Sequence, residues 1–596
     1  VTAGVYGELS ADSQSIVLAV TGDDHELDQA AKALLRMTML CKKSDPPGML
    51  IAPATWATVT QLAHTFNSDT LGRWLPMPRL RAWIEAEFMR RVAPGEMHYW
   101  WGPVLQPRAY QIEAACMIAA AGKFLLCDDP GTGKTVSTVL GLLERQARGT
   151  ELFPMLIVAP SWDVGDVWLR HIKTWAGQSV GEDGAGKGRL GEPGGQVWPD
   201  PELYRGPDRF TGPDILITTY ATMRLDAEDA KGPLVKLKAR TVVADEVHLA
   251  KNETSKQSQA LGRVALHADT FIGLTGTPVT RDSGDIFPVL QAMDPRSWPA
   301  RGRFVKRYLE TTDNGYGEII EGIQPLREPE FRAVITGQYR RVAKKDVLSE
   351  LPPKIYSVRR IEIPPEWRKS YDTMQEDMLS QLPDGGELPV MSVLAQLTRL
   401  GQLASSACEV EVIQEIDPET GERKTRYEVT LKAPSWKADA LLGVMRERPG
   451  QQFAVFANSK QLIGITGVLL EQSGYRTGYI TGGQGSGYRT EAIENFQAGK
   501  LDAILCTAGA GSLGITLTAA NAVVFLQRSW ELDKAIQPED RAHRMGNEHD
   551  KVEIIDILAK DTVDDRVREL MRVKGGQLGQ VLGDPRIVRE LLGGMK

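Results

Sequence analysis

Cysteine is scarce in this sequence and never closely spaced. Five residues (Cys41, Cys116, Cys127, Cys408 and Cys506) are scattered over 596 positions. None forms a Cys-x-x-Cys pair, which argues against a zinc module, a redox couple or a disulfide framework and for a reduced setting. Long apolar runs are also missing, so no stretch reads as a membrane span. No cleavable signal opens the sequence, and a cytoplasmic location without membrane attachment is the expectation. Basic charge is not in excess, because 70 Lys and Arg stand against 77 Asp and Glu, for a net charge of −7. That excludes a global field that would attract nucleic acid but leaves room for a local basic groove. The length exceeds what one core can organise, so several domains are expected.

What is present is concentrated first in Leu125-Leu126-Cys127-Asp128-Asp129-Pro130-Gly131-Thr132-Gly133-Lys134-Thr135. An apolar run ends in two carboxylates, turns through Gly-Thr-Gly, and enters a stretch that can continue as a helix. Phosphate-binding loops need this strand–loop–helix context: glycines let successive N–H groups converge, and the helix N-terminus adds the positive end of its dipole. Asp129, Gly131, Thr132, Gly133, Lys134 and Thr135 are therefore the candidate nucleotide-binding residues, with Lys134 on the β- and γ-phosphates and Thr135 on Mg²⁺. Asp128 stands where the common pattern has its leading glycine. The competing reading, a Gly-rich turn before a surface lysine, does not explain the buried run ahead of it.

From about residue 99 to 285 short apolar strands alternate with helical stretches, which predicts a parallel α/β sheet. Strands are expected at Phe124–Cys127, Met155–Ala159, Ile215–Thr219, Val242–Ala244 and Phe271–Leu274, and the Gly- and Pro-rich stretch from Gly177 to Gly212 as an exposed loop. Within that loop Gly184-Ala185-Gly186-Lys187-Gly188 mimics a phosphate loop, but no strand precedes it. Asp245-Glu246-Val247-His248 ends an apolar strand. Downstream of Lys134 and Thr135, Asp245 is the candidate Mg²⁺ ligand and Glu246 the candidate base for the attacking water. Alone, such a pair is more often a surface turn.

Residues 1–98 read as a small accessory domain, with a strand at Ser15–Val20, a helix over His25–Thr38, a strand or turn at Gly48–Pro53, and an arginine-rich helix over Arg79–Arg91. The preferred reading of that helix is a core stripe with a solvated basic face, not a nucleic-acid contact. Residues 286–430 lose the alternation and read as helical insertion and linker, with a charged hairpin from Glu409 to Thr430. Alternation resumes over 431–575, with strands expected at Phe453–Phe456, Gly478–Ile480, Ala503–Cys506, Ala522–Leu526 and Glu553–Leu558, and 576–596 form a tail. This second lobe has no phosphate loop of its own. It offers Gln537-Pro538-Glu539-Asp540-Arg541-Ala542-His543-Arg544-Met545-Gly546, whose two arginines share a helical face. An arginine from another lobe can complete an open ATP site and raise turnover by on the order of 10³–10⁵. His543 has no spaced ligand partners and reads as structural.

Taken in order, these motifs resemble the Snf-type ATPases of helicase superfamily two over about residues 104–574, and more particularly a compact bacterial or phage-like DNA translocase. Gln106-Pro107-Arg108-Ala109-Tyr110-Gln111 is similar to that family's adenine-reading element, with Gln111 as its glutamine. The resemblance continues through Asp128–Thr135, Ile157–Pro160, Ile217-Thr218-Thr219-Tyr220, Asp245–His248 with Lys251-Asn252, and Leu274–Pro278. It includes Arg340–Val347 with Leu351–Lys354, Thr507–Asn521, Trp530, and Gln537–Gly546. It implies two RecA-like parallel-sheet lobes with helical insertions, ATP and Mg²⁺ as cofactors, and a duplex or branched DNA partner. It also makes Arg541 and Arg544 arginine-finger candidates, Arg544 first. Thr219, Thr275, Thr277, Gly514, Thr516 and Trp530 become candidates for coupling or DNA contact. Glu531 and Asn547 depart from common family residues and bear on DNA contacts. No chromatin-reading or zinc module is visible.

The resulting expectation is a DNA-dependent ATPase that moves on or remodels double-stranded DNA, in the cytoplasm or nucleoid of a bacterial host and as a monomer. Residues 1–98 are open to a replication, repair or transcription partner. Two alternatives stand beside it: an RNA or single-strand helicase of the same superfamily, and a nucleotide-switched module that clamps DNA or RNA polymerase with little turnover. The intact Asp245-Glu246 pair and both arginines weigh against the second.

Overall fold

Runs such as Met155–Ala159 and Phe453–Ala457 are apolar at every position and buried throughout, as strands covered on both faces require. A computed structural model describes residues 4–21, 24–37, 42–43, 49–66, 73–97, 106–176, 198–206, 214–228, 231–276, 283–313, 318–348, 351–380, 390–416, 423–511, 515–529, 532–544, 547, 549–565 and 568. The chain divides into two compact units, Val1–Val347 and Leu348–Lys596.

The first unit is built on a parallel sheet. Across it lie Tyr339–Arg340, Lys123–Leu126, Thr270–Leu274, Thr241–Asp245, Met155–Ala159, Ile215–Thr219 and Glu202–Leu203. Successive side chains alternate between its faces. Phe124, Leu126, Ile157, Val243 and Ile272 pack in one cluster with Val139, Leu142 and Trp168 from the helices Lys134–Ala147 and Trp162–Trp175. Leu125, Leu156, Val158, Val242 and Phe271 pack on the other face with Leu261 and Leu290 from the helices Lys256–Ala265 and Phe287–Met293.

The N-terminal segment of the same unit has its own sheet, in the order Lys42–Lys43, Met49–Pro53, Ser15–Thr21, Gly4–Leu9 and Arg73–Pro76. It is seated on the segment following the central sheet by side chains that satisfy backbone groups. Trp56 Nε1 donates to the Ala333 carbonyl at 2.9 Å, and the buried Arg307 guanidinium pairs with Glu330 while donating to Thr65 Oγ1 at 2.9 Å. In the helix Pro78–Val92, Arg90 and Arg91 both pair with Glu87, and Arg91 stacks over Trp56 and reaches the Thr336 carbonyl. Part of the helix's basic charge is thus spent inside the unit.

In the second unit the parallel sheet runs Lys354–Ile361, Val552–Ala559, Ala522–Phe525, Phe453–Ala457, Ala503–Thr507 and Thr477–Ile480. The charged hairpin pairs Ala407–Ile416 with Arg423–Lys432. Lys437 is fully buried; its ammonium binds Asp564 Oδ2 at 2.5 Å and the Leu526 carbonyl at 2.7 Å.

Four expectations need correcting. The segment 286–430 is more than helical insertion and linker, since Tyr339–Arg340 joins the first sheet and Lys354–Ile361 the second. The first of these strands has two residues, and the second is a half-exposed edge strand, so neither shows a buried apolar run. The glycine-rich loop is not exposed throughout: Trp198 is buried with its Nε1 on Gln146, and Glu202–Leu203 extends the sheet. The first helix spans Asp24–Leu35 and ends short of Thr38. Arg541 and Arg544 do not share a helix, because the helix Leu532–Ala542 stops between them. Residues 184–188 and the tail 576–596 lie outside the described residues.

Removing one member of a buried ion pair strands the other. Lys437→Met is expected to lower the unfolding free energy of the second unit by about 3–5 kcal/mol, measured in the full chain by urea unfolding. Adding Asp564→Asn should restore much of the loss, whereas a loss below about 1 kcal/mol would place the pair in water.

Candidate functional site

The carboxyl ends of parallel strands share one edge of a sheet, which is where open α/β sheets place their ligand crevices. In the first unit that edge gathers the loop after Lys123–Leu126, Thr275 after Thr270–Leu274, and Asp245-Glu246 at the end of Thr241–Asp245. Thr219 ends a strand farther along and accepts a hydrogen bond from Thr222 N, capping the helix Tyr220–Asp226.

The loop is a backbone nest. Gly131 and Gly133 have φ of 86° and 83°, which glycine adopts without a Cβ clash, and the helix Lys134–Ala147 starts directly after them. Lys134 Nζ donates to the Asp128 carbonyl at 2.8 Å, holding the ammonium across the loop. Thr135 follows in the first helical turn, half-buried. Two side chains of the preceding helix converge on Thr132 O, Tyr110 OH at 2.9 Å and Gln111 Nε2 at 3.0 Å, while Gln111 Oε1 accepts from Arg108 N. A Cβ on Gly133 would lie 2.4 Å from Gln111 Nε2. A side chain at this position would therefore push the Gln111 amide off Thr132 O, in addition to the strain of positive φ. Inward-curled N–H groups at a helix N-terminus beside a lysine suit a polyphosphate, so the residues present fit ATP.

The carboxylates of Asp128 and Asp129 are held by residues 340–344, so Asp129, expected from the sequence to bind nucleotide, has its side chain on Lys344 N. Asp128 forms a buried pair with Arg340 at 2.8 Å and accepts from Val342 N, and Asp129 accepts from Lys344 N. The departure from the glycine pattern thus has a structural cause: this position carries a buried ion pair.

Across the edge, Asp245 Oδ2 accepts from Trp168 Nε1 at 2.9 Å, and Oδ1 from Glu246 N. Burial, followed by the neighbouring Glu246 charge, pushes Asp245 up to about 6, while Lys134 and the Trp168 bond pull it down. Lys134 is thus within electrostatic reach of Asp245. A buried carboxylate beside a second carboxylate at this edge fits a divalent ion. Glu246 has φ 50° and ψ 50°, a left-handed conformation that costs a non-glycine residue about 1–3 kcal/mol. The turn brings its carboxylate to 3.3 Å from His248 Nδ1, which lies 2.9 Å from Thr275 Oγ1. Burial, followed by the Asp245 and Glu246 charges, pushes the Tyr220 phenol well above its ordinary value.

In the second unit Arg544 donates to Thr516 Oγ1 at 3.3 Å and to the Asp540 carbonyl, bringing two sequence candidates together. Arg541 is buried. His543 Nε2 donates to the Pro352 carbonyl at 2.7 Å, a structural placement. Glu539 and Asp540 are held by Lys354, and Glu539 also by Arg528. Thr277, Gly514 and Trp530 lie outside the described residues, as does Glu531. Trp168 and the Asp128 partner Arg340 escaped sequence reasoning as site neighbours; Arg340 was legible only as part of a family element.

Two sequence profiles match in order. The SNF2-related domain covers residues 110–407, and the helicase conserved C-terminal domain covers residues 436–546. The chain belongs to the SNF2-related family. The mouse DNA annealing helicase and endonuclease ZRANB3 is 25% identical over 474 residues, which is 77% of this chain and 39% of that protein. Human chromodomain-helicase-DNA-binding protein 7 is 24% identical over 473 residues, 76% of this chain and 15% of that protein. The chain spans less than half the length of these curated SNF2 relatives. Among solved structures, the Sulfolobus solfataricus SWI2/SNF2 ATPase core in complex with dsDNA aligns at 20% identity with a TM-score of 0.35, covering 84% of this chain and 99% of that one.

Gly133→Ala is expected to raise the dissociation constant for a fluorescent ATP analogue by at least about tenfold, because the new methyl meets Gln111 in addition to the strain of positive φ. Gly149→Ala carries the same strain at φ 88° with no atom within 4 Å of the new Cβ. Its affinity should stay within about twofold of the wild type, and equal losses in both variants would reduce the effect to backbone strain.

Proposed function

We propose that this SNF2-family chain is a DNA-dependent ATPase that translocates on double-stranded DNA. The observation that carries the reading is the adjacent pair Asp245-Glu246 at the sheet edge it shares with the Lys134 loop, with Lys134 in electrostatic reach of Asp245. A module that only binds nucleotide needs the loop but not a second carboxylate beside the first. The choice of DNA rests on the motif resemblance and on relatives whose names state DNA annealing and DNA binding.

The chain's residues divide the work. Backbone N–H groups of Gly131–Lys134 and the Lys134 ammonium hold the β- and γ-phosphates, and Gln111 reads the base from beside Thr132. Thr135 and Asp245 hold Mg²⁺, which when bound neutralises phosphate charge. Glu246 takes a proton from the attacking water, its carboxylate aimed by the left-handed turn and by His248. Arg544, with Arg541 as the second candidate, is proposed to supply positive charge to the transition state, and its hydrogen bond to Thr516 ties it to a candidate coupling segment. Trp530, Thr277, Gly514, Thr219 and Thr275 are proposed to relay nucleotide state to the DNA grip. Movement then depends on phosphate contacts that ignore base sequence.

Lys134→Ala should lose nucleotide binding and turnover together, whereas Glu246→Gln should bind ATP and turn over at least about a hundredfold more slowly. Normal turnover in the glutamine variant would remove Glu246 as the base. Arg544→Ala should keep ATP affinity while DNA-stimulated turnover falls by on the order of 10³, and near-normal turnover would dismiss it as the finger. Translocation itself is tested by ATP-dependent displacement of a third strand from a duplex. ATP turnover with no displacement would leave an ATPase that does not move.

A further inference from the structure

The strand Tyr339–Arg340 sits beside the phosphate loop for a reason beyond completing the sheet. Its segment binds the loop's approach at successive positions: Leu125 N donates to Gln338 O at 2.8 Å, Cys127 N to Arg340 O at 2.7 Å, and Asp129 N to Val342 O at 3.1 Å. Side chains return the contact. Asp128 Oδ1 accepts from Val342 N at 2.9 Å, and Asp129 Oδ2 from Lys344 N at 3.0 Å. Arg340 occupies the centre, with Nη1 on Asp128 Oδ2 at 2.8 Å and Nη2 on Glu113 Oε2 at 3.0 Å. Glu113 lies two residues from Gln111 on the helix Ala109–Ala121, so one guanidinium ties the base-reading helix to the phosphate loop. The Arg340 and Asp128 side chains are 6% and 2% exposed, whereas Glu113 is 66% exposed. The dominant partner is therefore Asp128.

The segment then continues through the short helix Lys344–Val347 to the boundary at which the second unit begins with Leu348. The loop that would hold the phosphates and the strand leading into it are thus stapled, by six hydrogen bonds with Gln338, Arg340, Val342 and Lys344, to the chain that leads to the second unit.

We propose that Arg340 is a positioning residue, setting the phosphate loop through Asp128, and that residues 338–347 form a strap through which loop occupancy is felt by the connection to the second unit. The inference rests on the ATPase reading for its coupling half only. The positioning half concerns nucleotide binding, which can be measured without DNA or turnover. Lys134 depends on the same pair indirectly, since its ammonium rests on the Asp128 carbonyl. An Asp128 side chain left without its guanidinium would swing or take up a proton, and the carbonyl would move with it.

The test uses the full chain and a fluorescent ATP analogue. Arg340→Met is expected to lower the melting temperature, as removal of one member of a buried pair does, and in addition to weaken analogue binding about tenfold or more per folded molecule and to bring the ratio of DNA-stimulated to basal turnover toward one. A purely structural role would lower the melting temperature and the active fraction alone, leaving affinity and ratio per folded molecule unchanged, and that result overturns the proposal. Glu113→Gln should stay within about twofold in affinity, its carboxylate being solvated. The double variant Asp128→Asn with Arg340→Met should bind more tightly than Arg340→Met alone, because the stranded buried charge is gone; equal or weaker binding would show that the pair is not the unit that acts. If Arg340→Met does not fold, Arg340→Lys replaces it, since an ammonium keeps the charge but not the guanidinium's fixed planar geometry on Asp128, and about threefold weaker binding is expected. Wild-type affinity in a folded Arg340→Lys would then count against the proposal. A wild-type protein that binds the analogue but shows no DNA stimulation would refute the ATPase reading while the affinity comparisons still judge Arg340.

Discussion

Register between three parallel strands decides what the first unit can do. Leu126 pairs with Leu274, and Leu274 with Asp245, so the three strands end in one layer. Asp128, Thr275 and Glu246 follow one or two residues beyond those ends, and every contact of the candidate site is a consequence. Because side chains alternate, a slip of one residue would turn the buried set outward on both faces at once. The two hydrophobic clusters therefore hold the site's geometry more firmly than any polar contact within it.

Polar contacts act at a second level, by choosing directions at the strand ends. Trp168 fixes one Asp245 oxygen, and the left-handed Glu246 turn sends the next carboxylate toward His248 and Thr275. The Asp128–Arg340 pair sets the far side of the phosphate loop. Each device orients a group that the backbone alone would leave free. In the second unit, Lys354 and Arg528 similarly hold Glu539 and Asp540 on the helix leading to Arg541 and Arg544. Glu539 and Asp540 are thus engaged within the unit, immediately ahead of Arg541.

Much of this was legible in the residues. Fully buried parallel strands are short apolar blocks, and Met155–Ala159 and Ile215–Thr219 have the boundaries expected of them. The phosphate loop announced itself through glycines, the residues that take positive φ at least cost. Edge strands were illegible: Lys354–Ile361 neither alternates polar and apolar residues nor forms an apolar run, and Tyr339–Arg340 is too short to have a pattern. Long-range partners were equally hidden. Arg340 lies 212 residues from Asp128 and Trp168 lies 77 from Asp245, and no spacing rule connects them. The aspartate at the first loop position looked like a departure from a pattern until its partner was seen. The two arginines of the second lobe matched helical spacing, yet the helix ends at Ala542, and the helical period says nothing about where a helix stops.

For the proposed function an acidic chain must place its positive charge locally, and Arg90 and Arg91, both paired with Glu87, narrow the choice of where. The most direct measurement is steady-state ATP turnover by the full chain with duplex DNA, single-stranded DNA, forked DNA and RNA, each at several salt concentrations. Duplex-containing DNA should stimulate most, with apparent affinity falling by about 0.9 log units per log unit of salt for each phosphate neutralised. Equal stimulation by RNA or single strands, or an affinity for duplex that ignores salt, would contradict the account.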